Sequence, residues 1–156
     1  MKIKSRSFGE LEFEDDAIVS FPEGIIGFEK LKKWVLIENQ SMEPFKWIQS
    51  VEDGNIALMV IDPHLIRNNY KMAIPSIEHK KIGLETLEKR GDWISFCVVV
   101  PKEDIRNSIV NLKAPILINL KEKIGKQIIL LNDDYDVEEK FFSEETVRIQ
   151  REQEKE

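Results

Sequence analysis

Cysteine, histidine, glycine and long apolar runs are all scarce in this chain, and each scarcity removes a class of function. The single cysteine, Cys97, lies inside the apolar run WISFCVVV. One thiol can build neither a disulfide framework nor a cysteine-based metal site, and apolar surroundings predict a buried, inert group rather than a nucleophile. The two histidines, His64 and His79, stand fifteen positions apart with no HExxH pattern, so each is expected at the surface rather than on a metal. No GxSxG elbow is present. The glycines of PEGIIGF are three apart with no Lys-Ser/Thr after them, which excludes a P-loop or dinucleotide fingerprint. Carboxylate pairs such as Asp15-Asp16 and Glu52-Asp53 fall where turns and strand ends favour acidic residues without catalysis. The expectation is a protein that is not an enzyme and carries no cofactor or metal.

Membrane signals are equally thin. MKIKSRSFGELEF has basic residues but no apolar segment behind them, and no uninterrupted apolar run approaches spanning length. A cytoplasmic protein without a membrane partner is expected.

What the chain does have is one core's worth of apolar residues and a lopsided charge. With 156 residues, 42% of them hydrophobic, a single domain is the default. From Asp133 to Glu156 ten acidic residues face four basic ones, which leaves nineteen of each sign in the preceding body. All the excess of the net charge of -6 therefore sits at the C-terminal end. We expect a single β domain over residues 1–135 and an acidic tail over 136–156, helical or disordered. Such a tail is a solubilising end or an electrostatic lure for a basic partner.

Short strands dominate the pattern. Lys2 to Phe8 and Gly9 to Phe13 read as a hairpin, Ala17 to Phe21 as a strand stopped by Pro22, and Trp34 to Glu38 as another. Phe45 to Val51 and Ile56 to Ile61 flank the turn signal Asp53-Gly54, which predicts antiparallel neighbours. Residues 110–119 alternate apolar and other residues, Pro115 points to a sheet edge or a bulge, and Gly125 is expected in the turn before a further run from Gln127 to Leu131. Helical pattern is weak: Ser76 to Lys81, a stretch around Leu84 to Lys89, and a start at Ser143. The fold class that follows is mainly β, a small antiparallel β-barrel or sandwich of short strands with one or two short helices and a mobile acidic C-terminal tail. Trp47, Cys97 and Ile116 are expected in its core.

The blocks FPEGIIGFEK, PFKWIQSVEDGNIALMVIDP, NLKAPILIN and GKQIILLNDDY occur in order between residue 21 and Tyr135, and in that set the chain resembles the flagellar assembly factor family FliW. After Tyr135 it departs from the family pattern, with DVEEKFF and an acidic end in place of a short basic, histidine-containing one. The resemblance implies a soluble regulator that binds flagellin and also binds CsrA, an RNA-binding translational repressor, so that flagellin export is coupled to flagellin translation. An acidic antagonist of a basic repressor gains association rate by steering. Asp133, Asp134, Tyr135, Asp136, Glu138 and Glu139 are the candidate partner-binding residues. The alternative is a sheet-based RNA-binding module, with Phe45 and Trp47 stacking bases beside Lys30, Lys32 and Lys33 or Lys121, Lys123 and Lys126. The acidic balance favours the core face for those aromatics and no direct contact with nucleic acid.

Overall fold

A computed structural model describes residues 1–83 and 92–141. Strands β1 (Lys2–Ser5) and β2 (Gly9–Glu12) form a separate antiparallel hairpin. Then come β3 (Ile18–Ser20), β4 (Lys33–Ile37), β5 (Lys46–Ser50), β6 (Ala57–Ile61) and the long β7 (Trp93–Val100). The described residues continue with β8 (Ile109–Val110), β9 (Ile116–Asn119), β10 (Ile124–Gln127) and β11 (Glu139–Lys140). Helix α1 is a short piece, Ser76–Lys81.

The sheet closes on itself. Its order runs β7-β6-β5-β4-β3-β10-β9, and β9 pairs back onto β7 through Trp93↔Asn119 to Phe96↔Ile116, giving a barrel of seven strands. All its pairings are antiparallel except β10 with β3. The far end of β7 is long enough to escape the barrel, where Val99 and Val100 pair with β8 and β8 pairs in turn with β11. Closure removes the exposed sheet edges that would otherwise template aggregation.

Alternation sorts the side chains. Val19, Trp34, Ile48, Val60, Phe96, Ile116 and Ile118 fill the barrel together with Phe21 and Ile25. Gly125 of β10 makes room for Phe21, since a Cβ there would lie 2.5 Å from the ring. A second apolar layer covers one outer flank: Ile61, Cys97 and Val99 face Tyr70, Val110, Leu112 and Leu130. Next to it Leu117 packs on Ile82 and Ile128. With both faces of β9 covered, all four of its residues are buried, and its Asn119 donates to Ile82 O at 2.8 Å and accepts from Lys121 and Glu122 N–H to close the turn into β10. Cys97 is buried in that outer layer, and desolvation pushes its thiol up to about 12.

Several expectations need correction. The run over residues 110–119 is two strands with a bend between them, and Pro115 marks neither an edge nor a bulge: it immediately precedes β9, where no ladder N–H is required, and its carbonyl accepts from Ile128 N–H at 2.9 Å. Gly125 lies in β10 rather than in a turn, and β10 ends at Gln127, so 128–131 is packed loop. Trp47 is only half-buried, because its strand turns Ile48 inward and lays the Trp47 ring under Phe8 of the N-terminal hairpin, 5.7 Å away edge to face. The fully buried indole is Trp34. Packed structure continues past residue 135, since Glu139 and Lys140 are in β11 and Phe141 lies 5.6 Å from Phe45. The helical pattern over 84–89 and the segment beyond Ser143 lie outside the described residues.

Candidate functional site

Residues 128–141 wrap the outer flank of the barrel, and the acidic segment is held there by its neighbours. Leu130 N–H donates to Lys113 O at 2.9 Å, and Leu131 N–H donates to Ala73 O at 2.8 Å. Asn132 completes the clamp, its Oδ1 accepting from Ala73 N–H at 3.0 Å and its Nδ2 donating to Lys71 O at 3.2 Å. Tyr135 is the hinge pin: its hydroxyl accepts from Lys71 N–H at 2.9 Å and its ring stacks at a tilt on Tyr70, centroids 4.6 Å apart. Tyr70 is itself buried, donates to Leu112 O at 2.6 Å, and burial drives its phenol far above the usual range.

The six candidate residues divide by this packing. Tyr135 and Glu139 are half-buried and turn toward the body; Glu139 takes Arg67 at 3.3 Å and accepts from Asp136 N–H at 2.9 Å. Asp133, Asp134, Asp136 and Glu138 are exposed. Of these Asp133 has a cation near it, Lys113 at 3.5 Å, while Asp134 accepts from Asn132 and Asp136 from Val137 N–H. The result is a ridge of four carboxylates on a fixed backbone.

A second surface was not legible as such in the chain. Ile26, Val100, Ile129 and Val137 are large apolar side chains left exposed, and Ile26 forms a wall common to two clefts. Its backbone is fixed: Phe28 N–H donates to Ile25 O at 2.6 Å, and Ile26 N–H donates to Gln127 Oε1 at 2.9 Å. Gly27 occupies the third position of that turn at φ 92°, where only glycine enters without strain. The signal available in the sequence was the repeated isoleucine inside PEGIIGF, one of which had to point away from the barrel.

Several of the side chains that an RNA-binding sheet would need are otherwise engaged. Phe45 and Trp47 each have an aromatic neighbour, Phe141 and Phe8. Among the lysines, Lys126 is held by Glu23 at 2.8 Å and also by Glu78, and the ammonium of Lys32 is taken by Glu29 O.

The family model for the FliW protein matches residues 2–141, nearly the whole described chain. The chain belongs to the FliW family. Among curated FliW proteins, the flagellar assembly factor FliW of Leptospira interrogans (serovar copenhageni, strain Fiocruz L1-130) is 39% identical over 149 residues, covering 96% of this chain and 98% of that protein. The flagellar assembly factor FliW of Thermotoga maritima is 40% identical over 141 residues, covering 90% and 92% respectively. The crystal structure of the flagellar assembly factor FliW superposes with a TM-score of 0.83 at 27% identity, covering 92% of this chain and 99% of that one. The seven-stranded barrel is thus the FliW fold, and the chain is a flagellar assembly factor of that family. No helix among the described residues is long and apolar enough to cross a membrane.

Proposed function

We propose that this FliW-family chain acts in the cytoplasm as a binding regulator with two protein partners: flagellin, and the RNA-binding translational repressor CsrA. Bound to CsrA it relieves repression of flagellin synthesis; bound to flagellin it releases CsrA. Export of flagellin is in this way coupled to its translation, without a reaction centre.

The observation that supports this reading best is the ridge of Asp133, Asp134, Asp136 and Glu138, exposed on a backbone pinned by Tyr135 and Asn132. A repressor that grips RNA phosphates presents basic surface. Carboxylates on a rigid support steer such a partner and act mainly on association rate and its salt dependence. Tyr135 and Glu139 serve this surface as supports, one holding Lys71 N–H and the other Arg67.

The test is association kinetics with CsrA for a variant in which Asp133, Asp134 and Asp136 become Asn. Slower association at low ionic strength, a flatter salt dependence and unchanged flagellin binding are expected. An unchanged rate would return the ridge to the role of a solubilising surface.

A further inference from the structure

Two clefts meet at Ile26. Toward β10 and α1 the side chain faces Ile129 across a cleft of about 310 Å³, and toward the β7–β8 extension it faces Val100 and Val137 across one of about 270 Å³. The four apolar side chains are each between 45% and 62% exposed, so the floor is uncovered rather than merely shallow. An apolar surface continuous over two clefts is uncommon on a soluble protein without a binding role.

The rim is acidic. Glu23, Glu29 and Glu78 line the first cleft and Glu138 the second. Lys126 is the one cation among the lining residues, and its ammonium is already taken by Glu23 and Glu78. Lys81 lies 3.7 Å from Glu23 and 3.9 Å from Glu78 as well, so Glu29 and Glu138 are the rim carboxylates left for a partner to neutralise.

The presentation of Ile26 is preorganised. Gln127 accepts from its N–H at 2.9 Å while donating to Ala114 O at 3.0 Å, so the turn is bolted to the barrel, and Gly27 N–H donates to Glu29 at 3.0 Å. A side chain fixed in this way loses little entropy when a partner covers it.

From the apolar floor, the acidic rim and the fixed turn we infer that these clefts dock an amphipathic helical segment that carries lysine or arginine beside its apolar row. One helix face supplies apolar side chains at i, i+3, i+4 and i+7, a row that can reach both clefts across Ile26, while its basic flanks meet Glu29 and Glu138. The same rim repels an acidic helix, and it repels a second copy of this chain, whose rim would have to lie against its own. The inference rests on the reading above only for the source of the helix, which would be a terminal segment of flagellin.

The experiment titrates the full chain with two synthetic amphipathic helical peptides that share one leucine row, flanked in one by lysine and in the other by glutamate, and then with purified flagellin. The variants are Ile26→Asp, which introduces a charge at an exposed position, and Glu138→Lys, which leaves the apolar floor intact. The lysine peptide is expected to bind about tenfold or more tightly than the glutamate peptide, and to lose about tenfold or more in Ile26→Asp while the melting temperature holds. Glu138→Lys should narrow the preference between the peptides. Equal binding of both peptides, or no change in Ile26→Asp, overturns the inference. A concentration-dependent dimer abolished by Ile26→Asp overturns it in favour of a second copy. Flagellin that binds wild type and Ile26→Asp equally also overturns this seat while leaving flagellin as a partner. Ile26-dependent binding of the lysine peptide with no binding of flagellin supports the docking site and removes flagellin as its source.

Discussion

Ser5 Oγ donates to Gln49 Oε1 at 2.7 Å in a pocket from which both residues exclude solvent, joining the N-terminal hairpin to the middle of the barrel wall. The Gln49 amide also donates to Ser50 O and Ile56 O, each at 3.0 Å, and Arg6 N–H reaches Gly54 O at 2.9 Å. Replacing Gln49 by Leu should leave the Ser5 hydroxyl without its buried acceptor and cost about 1–3 kcal/mol. Urea unfolding measures the loss, and faster amide exchange at β1 and β2 than in the rest of the chain would show that the hairpin is what comes loose.

The two tryptophans on β4 and β5 should separate cleanly. Trp34 is fully buried, with Phe21 and Phe28 edge-on at 6.5 and 6.3 Å, so Trp34→Ala should cost about 3–5 kcal/mol through lost burial and a cavity. Trp47 is half-buried under Phe8, and Trp47→Ala should cost about 1–2 kcal/mol, the share of its ring that leaves water. Denaturant midpoints of the two variants check the order; a larger loss at Trp47 would contradict the packing described.

Gly125→Ala places a methyl 2.5 Å from the Phe21 ring, which has no room to retreat because Phe21 is fully buried. The expected loss is about 1–3 kcal/mol from overpacking, largely recovered when Phe21→Leu is added. Thermal melts of the single and double variants give the coupling.

Lys126 ties α1 and the Pro22–Gly24 corner to β10. Burial disfavours its charge, yet the hydrogen bonds with Glu23 and Glu78 outweigh that and raise it above its ordinary 10.5, while the bond with Lys126 lowers Glu23 below its ordinary 4.5. A lowered carboxyl stabilises above its unfolded value and loses that contribution as pH falls through the folded one; a raised ammonium stabilises below 10.5 and loses it as pH climbs through the folded one. Lys126→Met should therefore be most costly in the window between these limits, with the gap to wild type closing in acid as Glu23 takes up its proton. Unfolding midpoints at several pH values test this, and a gap independent of pH would assign the effect to the apolar stem of the lysine.

Strand positions were largely legible because alternation and the Asp53-Gly54 turn are local signals: β5 and β6 pair through Lys46↔Val60 to Gln49↔Ala57 as that turn requires. The place of Trp47 was not legible, because which face of a strand looks inward depends on a hairpin forty residues upstream that brings Phe8 over it. The same applies to residues 110–119, where the apolar character reflects burial on both faces of β9 by distant segments rather than one. At the acidic site the charges were readable from composition, whereas the inward turn of Tyr135 and Glu139 depends on Lys71 and Arg67, far away in sequence.

The most direct test of the proposed switch is a three-component titration: purified flagellin is added to a preformed complex of this chain with CsrA, while the binding of CsrA to its RNA target is followed. The account predicts that RNA binding by CsrA is suppressed in the complex and returns in step with added flagellin, reaching its full value near one equivalent. Suppression that persists with flagellin in excess, or RNA binding that the chain never suppresses, would contradict it.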